Sequence, residues 1–302
     1  MLSSRPRRST RRTRLARALT AASLAIAAIS GSAVGAGIPA AEAAPNGNIV
    51  TFGDSYTSNP DELRNAVRKV PIPQVQDFVY GNGQPSRHGC LQSQDNWPRQ
   101  LGRITGAPID DFSCTADSSH TIPTRVDWAI GSGAIHRGTR AVVISVGIND
   151  FGPYGVARGA DPLNPGKVRS DYVNNIRTAV NKARAAAPGA KIIVAGTLSI
   201  SDPGPLNTLC FLNVVPNAPA GIPMPTLQQV ENLARDNQRA AAAATGATYV
   251  EIKDPSRSHS TCAPDRQRWV AGVIDPGAPH HMSLHPTSGG SRFMAETISP
   301  HV

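Results

Sequence analysis

Three short blocks carry groups suited to acyl chemistry, two of them where apolar runs break off. In IVTFGDSYT an apolar stretch stops at Gly53, Asp54, Ser55 and Tyr56. A glycine lets the chain leave a sheet tightly, and a serine at a strand's carboxyl end lies in the crevice where open α/β sheets bind ligands. The same pattern more often marks a serine that caps a helix. In AVVISVGIND a second run stops at Gly147, Asn149 and Asp150. The Asn149 amide could donate to a developing oxyanion, a contact worth about 3 kcal/mol of barrier; a turn-forming asparagine is the structural alternative. In MSLHPTSGG, His285 precedes Pro286, which is expected in the first turn of the last helix, where its ring would fix the backbone. An imidazole held on the loop before it could act as general base. Of the eight histidines, His280 and His281 are the nearest rivals, and no third ligand is spaced to join them, so no metal is expected.

These blocks need a scaffold that brings strand ends together. Short β-branched runs alternate with helical patterns, which predicts an α/β fold with parallel strands and crossover helices. Five strands are expected at 48–53, 108–113, 140–147, 191–197 and 248–252. Helices are expected at 171–187, stopped by Pro188 and Gly189, at 226–244, and from about Pro286 or Thr287 onward. Two stretches, 57–90 and 198–225, are too long and too rich in Pro and Gly for simple connections, and such loops are usually functional. Both should lie at the carboxyl ends of strands. Leu206, Leu209, Phe211, Leu212, Val214 and Val215 in the second could line an acyl pocket or pack that loop against the body.

The net charge of the 302 residues, +9, would suggest an anionic partner if it were spread over the fold. Residues 1–43 hold seven arginines and one glutamate, however, which leaves only +3 for the remainder and argues against nucleic acid. That segment is basic, then weakly apolar, then small-residue, ending Ala41-Glu42-Ala43, and it reads as a secretory signal cleaved after Ala43. Its apolar part is shorter than the ~20 residues needed to cross a bilayer. Arg11 and Arg12 hint at twin-arginine export, with Arg14 against it. The mature chain, 44–302, is then one secreted domain without an integral membrane segment, acting as a monomer in the extracellular space or cell envelope. Cys90, Cys114, Cys210 and Cys262 lack zinc-site spacing, and in an oxidising compartment they are expected to form two disulfides. Three pairings exist; Cys90 with Cys114 and Cys210 with Cys262 is favoured, because each pair brackets a long irregular stretch.

Taken together, GDSY, GIND and LHP resemble, in order and separation, the serine, asparagine and histidine blocks of the SGNH (GDSL) hydrolase family. The likeness continues through CLQSQDNWPRQL and DFSCTADSS, as in secreted actinobacterial esterases and lipases. It implies a three-layer α/β/α sandwich of flavodoxin-like type and a serine ester hydrolase that needs no cofactor. Ser55 is then the nucleophile and His285 its base. The N–H groups of Ser55 and Ala116, with the Asn149 side chain, form the oxyanion hole. Ala116 stands where the family has glycine; a backbone donor survives the change, but strain follows if positive φ is required. Met282 stands where the family usually has an aspartate. The resemblance therefore implies a Ser-His dyad with the Met282 carbonyl orienting the imidazole, and Asp275 as the alternative acid.

The scarcity of aromatic residues, 5%, offers no platform for stacking sugars, so acyl or lipid esters come ahead of polysaccharide esters as substrates. Two other readings compete. One is a carbohydrate O-deacetylase of the same fold; the other is a catalytically silent secreted binding protein, which the missing acid and Ala116 would both suit.

Overall fold

The computed structural model describes residues 46–302, so the expected export signal at 1–43 lies outside the described residues. Apart from a short antiparallel pair at Ser86–Arg87 and Cys90–Leu91, the strands among the described residues are β1 (Ile49–Gly53), β2 (Ile109–Asp111), β3 (Ala141–Ser145), β4 (Lys191–Ala195), β5 (Thr208–Leu212), β6 (Ala220–Pro223) and β7 (Thr248–Val250). Five make one parallel sheet in the order β2-β1-β3-β4-β7, with Gly53 beside Ser145 at the end of the central pair. These are the five strands anticipated from the sequence, each shorter than expected by one to three residues. Counted along the chain, their order is the flavodoxin one, which reverses between β1 and β3 and opens a ligand crevice beyond the carboxyl ends of those two strands.

The β-branched runs are buried on both sides. Val50, Phe52, Val142 and Ile144 pack against α5 (Ile122–Gly131), α7 (Pro165–Ala186), which follows the one-turn α6 (Pro153–Val156), and α8 (Pro225–Thr245). Ile49, Val143 and Ile193 face α4 (Trp97–Thr105) and α9 (Ser288–Ile298) through Trp97, Leu101 and Met294. This is the three-layer sandwich, and each such buried side chain contributes about 1.5–3 kcal/mol. Helix α7 begins six residues before its expected start, because Asn164 caps it by accepting from the Lys167 N–H. Pro286 lies outside the last helix, contrary to expectation. Thr287 is the cap, its hydroxyl accepting from Gly290, and Pro286 is taken up in a bridge to Val270.

The two long stretches are not structureless. The first folds into α1 (Ser55–Ser58), α2 (Glu62–Val67) and α3 (Pro73–Tyr80), and the second into the β5–β6 hairpin. Both follow carboxyl ends of sheet strands. The segment after β7 is a third long irregular stretch; it reaches α9 through 3-10 turns at Arg257–His259 and Asp265–Gln267. Disulfides join Cys90 to Cys114 and Cys210 to Cys262, the favoured pairing. Among the described residues no helix is long and apolar enough to cross a membrane.

Each disulfide has its own expected signature. Cys90–Cys114 closes 24 residues and Cys210–Cys262 closes 52, so chain entropy gives about 3 and about 4 kcal/mol respectively. The N–H of Cys114 also donates to the Gly53 carbonyl at 3.0 Å, next to Ser55. Urea midpoints of the two double Cys→Ser variants should both fall, further for the longer loop. Ester turnover of the folded protein should fall mainly in the 90/114 variant; equal turnover in both would count against a link between that staple and the site.

Candidate active site

The turn that presents Ser55 follows from one missing carbon. A Cβ on Gly53 would lie 2.0 Å from Thr57 Oγ1 and 2.5 Å from the Ser145 carbonyl, so only glycine lets the chain fold back onto β3. The requirement is space rather than positive φ. Asp54 caps α1 by accepting the Tyr56 N–H at 2.8 Å, and burial, with Asp117 and Asp150 nearby, pushes its carboxyl up to about 7. Ser55 opens the helix, where an N–H has no partner within the helix. It is partly exposed between buried Asp54 and Tyr56.

Ala116 is likewise partly exposed between buried neighbours, and Asn149 and His285 are partly exposed with a buried residue following each. Asn149 stands in the 3-10 turn Ile148–Phe151 that follows β3, and its Nδ2 donates to the Asp117 carbonyl at 2.8 Å. One amide hydrogen is thereby anchored and the second remains for a ligand. The next residue, Asp150, is fully buried; it accepts the Ser119 N–H at 3.0 Å and also the Ser119 hydroxyl. Asp150 therefore ties the segment carrying Ala116 to the end of β3. Ala116 has φ +69°, the conformation the glycine comparison anticipated, and it is strained for a residue with a Cβ.

On the histidine side the expected carbonyl is corrected. His285 Nδ1 lies 2.8 Å from the carbonyl of Ser283, not that of Met282. The reason is Leu284, whose φ of +59° turns the chain so that the carbonyl two residues back comes under the ring. Tyr56 holds that turn from the serine side. Its hydroxyl donates to the Leu284 carbonyl at 2.6 Å, and its ring lies 4.8 Å from the imidazole. Asn59, at the end of α1, adds a bond from Nδ2 to the Pro286 carbonyl at 2.9 Å. His285 Nε2 is buried and has no hydrogen-bond partner among the described residues. Burial lowers the pKa of this imidazole, while the Ser283 carbonyl and the Glu62 charge oppose the shift. It is therefore neutral near pH 7, with Nδ1 as donor and Nε2 open to accept a proton.

Asp275 is committed elsewhere. Its oxygens accept two bonds from the buried Arg268, both at 2.7 Å, and further bonds from Gly272 N–H and Asn213. Burial works against its ionisation, but these donors outweigh it and hold its pKa below the usual range. The proposed acyl-pocket set is dispersed. Leu209 is in the core, whereas Leu206, Val214 and Val215 are more than half exposed. A cavity of about 310 Å³ beside the hairpin is lined by Leu206 but by none of the other five. Residues that the sequence reading missed include Tyr56, Asp150, Ser283 and Glu62. Tyr56, Asp150 and Ser283 stood inside the quoted blocks; no local pattern marks Glu62.

A model of the GDSL-like lipase/acylhydrolase family matches residues 51–293. Lipase 2 of Streptomyces coelicolor is 28% identical over 279 residues, covering 85% of this chain and 86% of that protein. Among solved structures, the extracellular lipase from Streptomyces rimosus matches with a TM-score of 0.54 at 17% identity, over 85% of this chain and 100% of its own. Phospholipase A1 from Streptomyces albidoflavus gives 0.53 at 17% identity over the same shares. Both likenesses are likenesses of fold.

The strain at Ala116 is open to measurement. Replacing it with glycine removes a left-handed penalty of about 1–2 kcal/mol, partly offset by the greater freedom of glycine in the unfolded chain. Ala116→Gly should therefore raise the thermal midpoint by a few degrees with turnover maintained. A lowered midpoint would mean that the methyl makes contacts worth more than the strain.

Proposed function

Because this chain belongs to the GDSL-like lipase/acylhydrolase family, and so is a carboxylic-ester hydrolase, we propose that it is a secreted serine esterase or lipase working through a Ser55–His285 dyad and an acyl-enzyme. The observation that carries this reading is the state of His285: Nδ1 is bound to the Ser283 carbonyl, while a buried, unpartnered Nε2 belongs to the loop clasped to the turn of Ser55. The two disulfides and the extracellular lipase among the similar structures support export.

In the proposed reaction His285 Nε2 removes the Ser55 proton as Oγ attacks the ester carbonyl carbon. The carbonyl oxygen becomes an oxyanion, which the N–H groups of Ser55 and Ala116 and the free amide hydrogen of Asn149 stabilise. Collapse expels the alkoxide, which takes the proton from His285. Water, activated by the same imidazole, then attacks the acyl-enzyme, releases the carboxylic acid and restores the serine hydroxyl. A carbonyl in place of a carboxylate selects the productive tautomer but stabilises the imidazolium less. The acyl and lipid substrates expected from the sequence fit this scheme.

A fluorophosphonate should label the protein once per chain, and Ser55→Ala should abolish both labelling and hydrolysis of short-chain nitrophenyl esters. Absence of labelling and turnover in the native protein would instead favour the silent binding protein. Faster release of acetate from acetylated xylan than from any longer acyl ester would favour the carbohydrate deacetylase. Since His285 is held below the ordinary imidazole range, kcat/KM should rise with pH through a limb under pH 6.5 and be close to its plateau at neutrality. In Asp275→Asn, turnover per labelled site should stay within a few-fold of the native value. A loss of about 10⁴, as for a triad aspartate, would remove the dyad.

A further inference from the structure

The dyad leaves one electrostatic question, because no acidic side chain among the described residues bonds to the imidazole. A carboxylate does stand behind the group that does. Glu62, the first residue of α2, accepts through Oε2 from both the N–H of Ser283 at 3.1 Å and the Ser283 hydroxyl at 3.0 Å. Its own N–H donates to the His281 carbonyl at 3.0 Å, so helix α2 and the histidine loop are joined in both directions. Ser283 is the residue whose carbonyl accepts from His285 Nδ1. The negative charge of Glu62 also acts on the imidazole directly, favouring its protonated form.

We propose that Glu62 is a positioning residue for catalysis: its carboxylate fixes Ser283, and through it His285, and supplies across that residue the negative charge that a triad aspartate would place on the ring. The proposal rests on the dyad reading. Two features separate this role from that of a surface ornament. The contacts bridge 221 residues of sequence and converge on one amino acid, the one whose position sets the imidazole. That amino acid also precedes Leu284, whose left-handed conformation needs outside support; Tyr56 holds its carbonyl from one side, and Glu62 holds Ser283 from the other. The role also explains why an aspartate can be missing at position 282 without leaving the imidazolium unassisted. An exposed charge transmits less than a buried one, and salt screens it, so the assistance is smaller than that of a triad acid.

The other titratable groups on elements packed against this loop are the buried Tyr56 phenol and the Asp95–His281 pair, with Asp61 beside His281. Burial raises the phenol well above its ordinary value, out of any assay range. The Asp95–His281 pair is present equally in native protein and in a Glu62 variant, so it cancels in the comparison.

Glu62→Gln keeps an acceptor of the same shape and removes the charge, whereas Glu62→Ala removes both. With the charge gone His285 should lose its proton more readily, so the acidic limb of kcat/KM in Glu62→Gln should move to lower pH. A unit charge at side-chain range in a solvated setting is worth about half a pH unit and about threefold in plateau kcat. The shift should vanish in 1 M salt, where the Debye length is about 3 Å. Glu62→Ala should lose about tenfold in kcat with KM little changed, as expected for a group that holds a base and not the substrate. An unmoved limb in Glu62→Gln overturns the proposal, whether or not the plateau or the thermal midpoint has fallen, since those changes alone mark a structural bond. Failure of the dyad itself looks different: Ser55→Ala would then keep its activity while the Glu62 variants behaved in any manner.

Discussion

The site exists because two chain segments can approach each other at the carboxyl ends of β1 and β3 more closely than any side chain would allow. At Gly53 the turn into α1 lies against Thr57 and the Ser145 carbonyl, and Thr57 Oγ1 donates to that carbonyl at 3.2 Å. This contact places the start of α1 directly above the neighbouring strand, at the point where the strand order reverses. Ser55 is therefore the first partly exposed side chain beyond the sheet, after the buried Asp54, and Asn149 emerges four residues after Ser145 on the adjacent strand. A methyl group at Gly53 would push α1 away from β3 and separate Ser55 from Asn149, the proposed nucleophile and oxyanion donor, without altering either residue.

Around that contact the protein spends its buried acids on architecture. Asp111 accepts from Thr51, Ser113 and Asn96, and so joins β1, β2 and α4. Asp150 holds the segment that carries Ala116, and Asp275 is locked to Arg268. Asp54 is pushed so high by burial that it is largely protonated below about pH 7. Beside the imidazole stands a neutral carbonyl instead. The arrangement is consistent with the lowered pKa of His285: a buried ring with no adjacent carboxylate stays neutral at physiological pH and is ready to accept a proton without first losing one. What it gives up is stabilisation of the imidazolium, the part of the cycle in which a more distant charge has most effect.

Legibility of the sequence followed the range of the interactions. The five sheet strands and α8 could be read because continuous β-branched runs and helical spacing report burial locally. Helix α7 was read short because its first turns, PGKVRS, carry little apolar periodicity and depend on the Asn164 cap. Helices α2 and α3 were missed for a related reason. Their large apolar residues Leu63, Ile72 beside α3, and Phe78 are substantially exposed, so no buried face repeats. The blocks that carry the proposed residues Ser55, Asn149 and His285 were visible in the sequence, and Ala116 came in through the family resemblance, but which carbonyl would face His285 was not legible. That choice depends on the φ of Leu284, and a tripeptide pattern carries no such information. Glu62 was further out of reach, since its partner lies at the other end of the chain.

Ala116 and Leu284 together suggest why the loops of the site need so much support. Each is a residue with a Cβ held at positive φ, one in the proposed oxyanion hole and one beside the proposed base, and each costs about 1–2 kcal/mol. Such conformations persist only where neighbours over-determine them. Ala116 is flanked by the disulfide at Cys114 and by Asp117, whose carboxylate is paired with Arg125 through two bonds. Leu284 is flanked by Ser283 and His285, and its carbonyl is taken by Tyr56. The turns of the site are thus less stable in isolation than the sheet they stand on, and are held by contacts from elements distant in sequence. Loosening any of these contacts would relax a backbone angle first and misplace a catalytic atom as the consequence, which makes catalysis more sensitive than global stability to changes in this shell.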